Sequence, residues 1–282
     1  MDPPKIVSYD RNKVLGVGIS AQVFAGQFNG EQVAVKRILK RADSDLDQEF
    51  QNREEQTMKN LKHENVLKLI DVQQDMDFKY LILELCIATV NDYIKGNYKR
   101  EMPTEIDALI QMASGLAYIH SQCLVHRDIK PANVLISQSF VLKISDFGVC
   151  RPVTSSGSFS MTSGPKGTRI YYSPEFIESE GKSKEDKEKI RANVTIDIFS
   201  LGCLYFSYLT EGCHPFAKNG GSPDEFGTIS NIQSDTKVLD NGKLSPNHYA
   251  FAVIDGMTKR NPNERLKLDE VLKILNNEKE KN

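Results

Sequence analysis

The chain has 282 residues, enough for one large domain or two lobes at roughly 100–200 residues per domain. Its 36 Lys plus Arg nearly balance 38 Asp plus Glu, a formal net charge of −2, which argues against a dedicated nucleic-acid binder. No run approaches the roughly 18–20 apolar residues of a membrane span, the best, Tyr80 to Ala88, being broken by Glu84, and the start Met1-Asp2-Pro3-Pro4-Lys5 lacks the apolar core of a secretory leader.

In chain order, strand-like runs come first: Lys13-Val14-Leu15, Gln22-Val23-Phe24-Ala25, Val33-Ala34-Val35 and Tyr80-Leu81-Ile82-Leu83. A helix over Leu46 to Leu61 interrupts them, with Phe50, Met58 and Leu61 at helical spacing among charges. After Leu85 helical patterns take over at Glu105–His120, Thr195–Thr210 and Tyr249–Met257, around a strand-rich patch at Val134–Ile136 and Val141–Ile144. The class this implies is α+β, a small β lobe followed by a larger helical lobe, with the boundary near Cys86. Thr154–Gly167, rich in Ser, Thr and Gly, and the charged Ser179–Arg191 look unlike core, and the second reads as a solvated loop. Cys86, Cys123, Cys150, Cys203 and Cys213 are scattered without metal-ligand spacing and read as reduced cytosolic thiols, and tryptophan is absent. His63, His120 and His214 read as packing or surface residues.

Four segments carry chemistry. Leu15-Gly16-Val17-Gly18 lies between two strands, where bare glycine backbone can approach phosphate oxygens. Lys36 ends the strand Val33-Ala34-Val35, and Glu54 is its expected partner because it shares a helical stripe with Met58 and Leu61, while the adjacent competitor Glu55 points away. In His126-Arg127-Asp128-Ile129-Lys130-Pro131-Ala132-Asn133 a carboxylate, an ammonium and a carboxamide share one loop: a proton acceptor for an attacking hydroxyl, a cation for a phosphoryl group in transit and a metal ligand. Asp146-Phe147-Gly148 follows thirteen residues after Asn133 and adds a second metal-binding oxygen donor.

With these residues in this order the chain resembles the eukaryotic protein kinase family from about Tyr9 to Leu275. Gly167-Thr168-Arg169-Ile170-Tyr171-Tyr172-Ser173-Pro174-Glu175 is similar to the end of an activation segment, with Glu175 expected to pair with Arg265. Thr195-Ile196-Asp197-Ile198-Phe199-Ser200-Leu201-Gly202 is similar to the helix whose aspartate, here Asp197, braces the catalytic loop. The third glycine of the family's phosphate-covering loop is Ala21 here, and Phe199 stands where tryptophan is usual.

The resemblance implies a two-lobed kinase fold with a five-stranded small lobe and one main helix: residues 1–8 an extension, 9–83 the small lobe, 84–88 the hinge, 89–275 the large lobe and 276–282 a charged tail. It implies ATP and Mg²⁺, with Asn133 and Asp146 on the metal, and Lys130 beside the base implies a Ser or Thr acceptor on a protein substrate. Adenine would lie between Leu15, Val23 and Ala34 above and Leu135 below, bonded to the backbone of Glu84 and Cys86, with Leu83 as gatekeeper. Gly16, Val17 and Gly18 would cover the phosphates, and His126 and Phe147 would fill a hydrophobic spine with Met58 and Leu69.

A closer likeness is to the kinase domain of the unfolded-protein-response sensor kinase/endoribonuclease family. It rests on Val33–Leu39, Glu84-Leu85-Cys86 with Ala88-Thr89, Ile144–Cys150, Ser158-Phe159-Ser160, Asp197–Ser200 and Glu211–Phe216. That likeness implies autophosphorylation at one or more of Ser158, Ser160 and Ser163, with Arg127 receiving the phosphate, between two chains of a homodimer. It implies stress signalling from the cytosolic face of the endoplasmic reticulum, while the near-neutral charge speaks against nucleic acid and the lack of a long apolar run against membrane contact within this chain. With 17 residues after Arg265, no ribonuclease is expected. The alternative is a pseudokinase, a nucleotide-responsive dimerisation module.

Overall fold

A computed structural model describes residues 7–18, 21–40, 54–154, 158–160, 168–183, 185–186 and 191–281. Five antiparallel strands, β1 (Ser8–Val17), β2 (Ala21–Phe28), β3 (Glu31–Leu39), β4 (Leu69–Gln74) and β5 (Phe78–Glu84), form one sheet in the order β1-β2-β3-β5-β4. The β2–β3 hairpin turns on Asn29-Gly30, whose φ values of 54° and 85° are the pair that a two-residue hairpin with matching twist demands.

Alternation along β3 and β5 divides their side chains between two cores. Val33, Val35 and Ile82 pack outward with Val7, whereas Ala34, Ile38, Leu81 and Leu83 face the main core. That inner face receives the helical run 54–60, which buries Met58. Because residues two apart on a strand share a face, Lys36 belongs to this inner side.

The chain crosses into the second lobe at β6 (Cys86–Thr89), which joins β7 (Val134–Ser137) and β8 (Leu142–Ile144) in a small sheet. Thr89 caps the helix Val90–Ile94 through a reciprocal exchange with Asp92. The helix Glu105–Ser121 starts where Thr104 accepts from the Asp107 N–H, and it buries Leu109, Met112, Leu116 and Ile119. The helix Thr195–Leu209 is buried at nearly every position, which is why its sequence lacks a polar stripe.

Several boundaries differ from the sequence reading. The five strands of the small lobe were expected but β4 was given no position, and no element was placed at the helices Pro174–Glu180, Glu225–Ser234 and Leu268–Lys279. The last of these runs into the stretch read as a charged tail, because Lys279 is anchored 2.5 Å from Asp107. At the other end β1 begins at Ser8 and Val7 is buried, so the extension contributes to the sheet. Within the supposed solvated loop, Ser179 is buried and Glu180 accepts from Arg169. Residues 46–53 of the expected helix lie outside the described residues.

Candidate active site

The cleft between the lobes is roofed by β1–β3. The Gly18 N–H donates to the Ala21 carbonyl at 2.8 Å, closing the start of the glycine-rich turn, whose residues 19 and 20 are not described. Near it Leu15 and Val17 are 50% and 74% exposed. Gly16 precedes Val17 on β1, and Val23 is half-buried on β2. Ala34 is buried on β3 opposite Leu83 of β5, which is buried too. Leu135 is half-buried on β7 between the fully packed Val134 and Ile136. The Glu84 carboxylate turns to the Lys68 N–H (2.6 Å) and Lys143 (3.1 Å), so it stiffens the hinge. Burial pushes the Cys86 thiol up to about 12, which leaves it a neutral, largely apolar wall at ordinary pH.

Beneath the roof, Lys36 Nζ lies 2.5 Å from Glu54 and 3.8 Å from Asp146. Burial opposes the charge on Lys36, but the two carboxylates outweigh it and raise the ammonium's pKa. The neighbouring ammonium in turn lowers Asp146, whose carboxylate remains 48% exposed to the cleft. Glu55 turns to Lys79 and Lys59 instead.

On the opposite wall the Asp128 carboxylate accepts from Lys130 Nζ at 3.0 and 2.7 Å and from Asn133 Nδ2 at 2.8 Å. Burial raises the Asp128 pKa and the Lys130 charge moderates the rise, the condition of a carboxylate able to accept a proton. Asn133 Nδ2 donates also to the Asp128 carbonyl, so both amide hydrogens are used and its Oδ1 remains the open end. Among the described residues no three His, Cys, Asp or Glu side chains cluster as a metal site. An amide oxygen and one exposed carboxylate suit Mg²⁺, which keeps waters and takes its remaining ligands from phosphates. The residues therefore fit the metal.

A buried frame holds this loop. Asp197 accepts from the His126 N–H (2.7 Å), the Arg127 N–H (2.7 Å) and His120 Nε2 (2.9 Å). Burial opposes its ionisation, but His120 and these donors hold its pKa below the usual carboxylate range. His120 is thus a bracing residue where the sequence reading gave it only packing; nothing within its helix signals this, since its partner lies 77 positions away. The His126 ring contacts the Ser145 carbonyl at 2.9 Å and meets Phe147 edge-on at 5.3 Å, and Met58 and Leu69 join the same core.

Downstream, Ser158-Phe159-Ser160 forms β9, paired with β10 (Arg191–Asn193). Ser163 lies outside the described residues. Phe159 is buried, and the Arg127 guanidinium lies over its ring at 5.6 Å and over Phe176 at 5.3 Å, so aromatic faces surround the residue expected to receive phosphate. Glu175 and Arg265 form the expected pair, at 2.6 and 2.7 Å.

A family model described as a protein kinase domain matches residues 9–275. The serine/threonine-protein kinase/endoribonuclease ire-1 of Caenorhabditis elegans is 36% identical over 223 residues, 75% of this chain and 22% of that protein. Its Aspergillus fumigatus counterpart ireA is 33% identical, over 90% of this chain and 24% of its own length. The serine/threonine-protein kinase PLK4 of Aedes aegypti is 30% identical over 95% of this chain and 33% of its own length. The chain thus spans a third or less of each of these relatives. No helix among the described residues is long and apolar enough to cross a membrane.

Proposed function

The chain belongs to the protein kinase family as a serine/threonine kinase domain, and on that premise we propose that it transfers the γ-phosphoryl group of ATP to Ser or Thr hydroxyls, its own activation segment included. Asp128 orients the acceptor hydroxyl and takes its proton. Lys130, 2.7 Å from that carboxylate, offers its ammonium to the phosphoryl oxygens as they pass. Lys36, kept charged by Glu54, holds the α and β phosphates, and Asn133 and Asp146 are the residues that would hold Mg²⁺. The metal, when bound, neutralises charge on the phosphates. Leu15, Val23, Ala34 and Leu135 enclose adenine, with the Glu84 and Cys86 backbone at its edge, and Leu83 limits its depth.

The observation that carries this reading is a pair of clusters, Glu54, Lys36 and Asp146 in one and Lys130, Asp128 and Asn133 in the other, each held together by contacts of 2.5–3.8 Å. Transfer of label from γ-labelled ATP to a generic acceptor protein tests it, with Lys36→Ala as control. No transfer by the unaltered chain would favour a nucleotide-responsive dimerisation module. Likeness to the kinase/endoribonucleases supports trans-autophosphorylation within a homodimer at Ser158, Ser160 or Ser163, and stress signalling at the cytosolic face of the endoplasmic reticulum. Absence of phosphate between Thr154 and Thr168 after incubation with Mg-ATP, read by mass spectrometry, would refute the autophosphorylation.

A further inference from the structure

Two adjacent acids, Glu54 and Glu55, open the described part of the small-lobe helix. Neighbouring helical positions point roughly 100° apart, so both can meet one sheet only if two different strands supply partners. Lys36 of β3 takes Glu54 at 2.5 Å, and Lys79 of β5 takes Glu55 at 2.7 Å. The register explains how. Lys36 pairs with Leu81, and Lys79 sits two residues before Leu81 opposite Ile38, so both lysines emerge on the helix-facing side. Lys79 is only 8% exposed, a rare state for lysine. The second partner of Glu55, Lys59, is one helical turn along on the same helix and is 55% exposed, so it cannot fix the helix against the sheet.

We propose that Lys79 is a positioning residue of the phosphotransfer site: it engages Glu55, removes that carboxylate as a rival for Lys36, and so fixes the roll of the helix at which Glu54 addresses the catalytic lysine. With Lys79 neutral, the helix is no longer held against a roll that brings Glu55 toward Lys36 and moves Glu54 away, and Lys36 leaves the place from which it meets Asp146, 3.8 Å distant. The inference rests on the kinase reading, and nothing in the family matches reported above assigns Lys79 or Glu55 a role.

Two readouts test it on the full chain. Lys79→Met should lower kcat about tenfold with KM for ATP changed less than about twofold, Lys79→Arg should retain most of the rate, and Lys79→Met/Glu55→Gln should recover most of what Lys79→Met loses. The recovery separates the proposal from a purely structural ion pair, for which removing the second charge brings nothing back. Trace acetylation of Lys36 by acetic anhydride, normalised to the exposed Lys95, should rise at least threefold in Lys79→Met and stay level in Lys79→Arg. If the methionine variant does not fold, Lys79→Gln replaces it. Unchanged kcat and acetylation in the neutral variant, or a double variant as slow as the single, would overturn the proposal. The acetylation arm needs no turnover, so a chain that transfers no phosphate would sink the kinase reading while this inference is still decided.

Discussion

Replacing Arg265 with methionine should be among the most damaging single changes outside the cleft. Its guanidinium has five N–H donors and the structure uses all five: Nη1 to Glu175 and the Thr195 carbonyl, Nη2 to Glu175 and the Arg260 carbonyl, Nε to the Lys259 carbonyl, at 2.6–3.1 Å. The side chain is 0% exposed and lies 5.1 Å over the Phe199 ring. Breaking a buried pair costs about 3–5 kcal/mol, and the 23% exposure of the Glu175 side chain, which lets water reach the stranded carboxylate, favours the low end, about 3 kcal/mol. At roughly 2–4 °C per kcal/mol for a domain of this size, the Tm should fall by about 6–12 °C. Arg265→Lys keeps the charge but has no planar fork, and should recover less than half of the loss. Differential scanning calorimetry at neutral pH measures both; a methionine variant melting within about 2 °C of the parent would refute the reasoning.

Other outcomes follow from the same contacts. Asp128→Asn should lower transfer about 10²–10⁴-fold while nucleotide affinity, measured by calorimetric titration, stays within a few-fold. Asp197→Asn should cost about 10²-fold in kcat by displacing the catalytic loop. Because the folded state holds the Asp197 pKa down, its stabilisation is present above the unfolded value near 3.9 and is lost as pH falls, so urea denaturation should show a shallower acid limb in this variant. Gly115→Ala should destabilise by about 1–3 kcal/mol in the same assay, since a Cβ there would sit 2.5 Å from the Asn65 carbonyl oxygen. Cys86, pushed up to about 12 by burial, should resist iodoacetamide at neutral pH while the exposed Cys123 is alkylated, as peptide mass spectrometry would reveal.

What the sequence made legible was what is local in it. The loop from His126 to Asn133 and the triplet from Asp146 to Gly148 hold their chemistry within eight and three residues, so spacing alone presents the groups together. The helix Tyr249–Met257 and the apolar runs within β3 and β5 follow from apolar patterning. β4 escaped because it is an edge strand with a register shift between Leu69 and Asp71 and a polar end at Gln73-Gln74. The helix Glu225–Ser234 carries Gly227 and a polar face and begins at the Asp224 cap, a signal outweighed by the composition around it. The bond from His120 to Asp197, the Thr195 carbonyl that accepts from Arg265 and the Lys79 partner of Glu55 depend on contacts across the fold, which no short window of sequence contains.

The two loops that carry the chemistry also carry backbone strain, and the strain accounts for the frame around them. Arg127 and Asp146 have φ values of 72° and 67°, the left-handed region that costs a residue with a side chain about 1–3 kcal/mol. Each lies beside a group that must face the cleft: Asp128 follows the first, and the second is itself the candidate metal ligand. Asp197 holds the first turn by taking the His126 and Arg127 N–H groups, which that conformation presents side by side. Across the cleft floor the Asn133 carbonyl accepts from the Ser145 N–H (2.9 Å) and hydroxyl (3.0 Å), and the His126 ring returns to the Ser145 carbonyl. The two strained turns are therefore tied to each other as well as to the buried helix. A substitution that loosens Ser145, such as Ser145→Gly, should displace Asp146 and Asn133 together, and should weaken binding of Mg-ATP more than binding of adenosine.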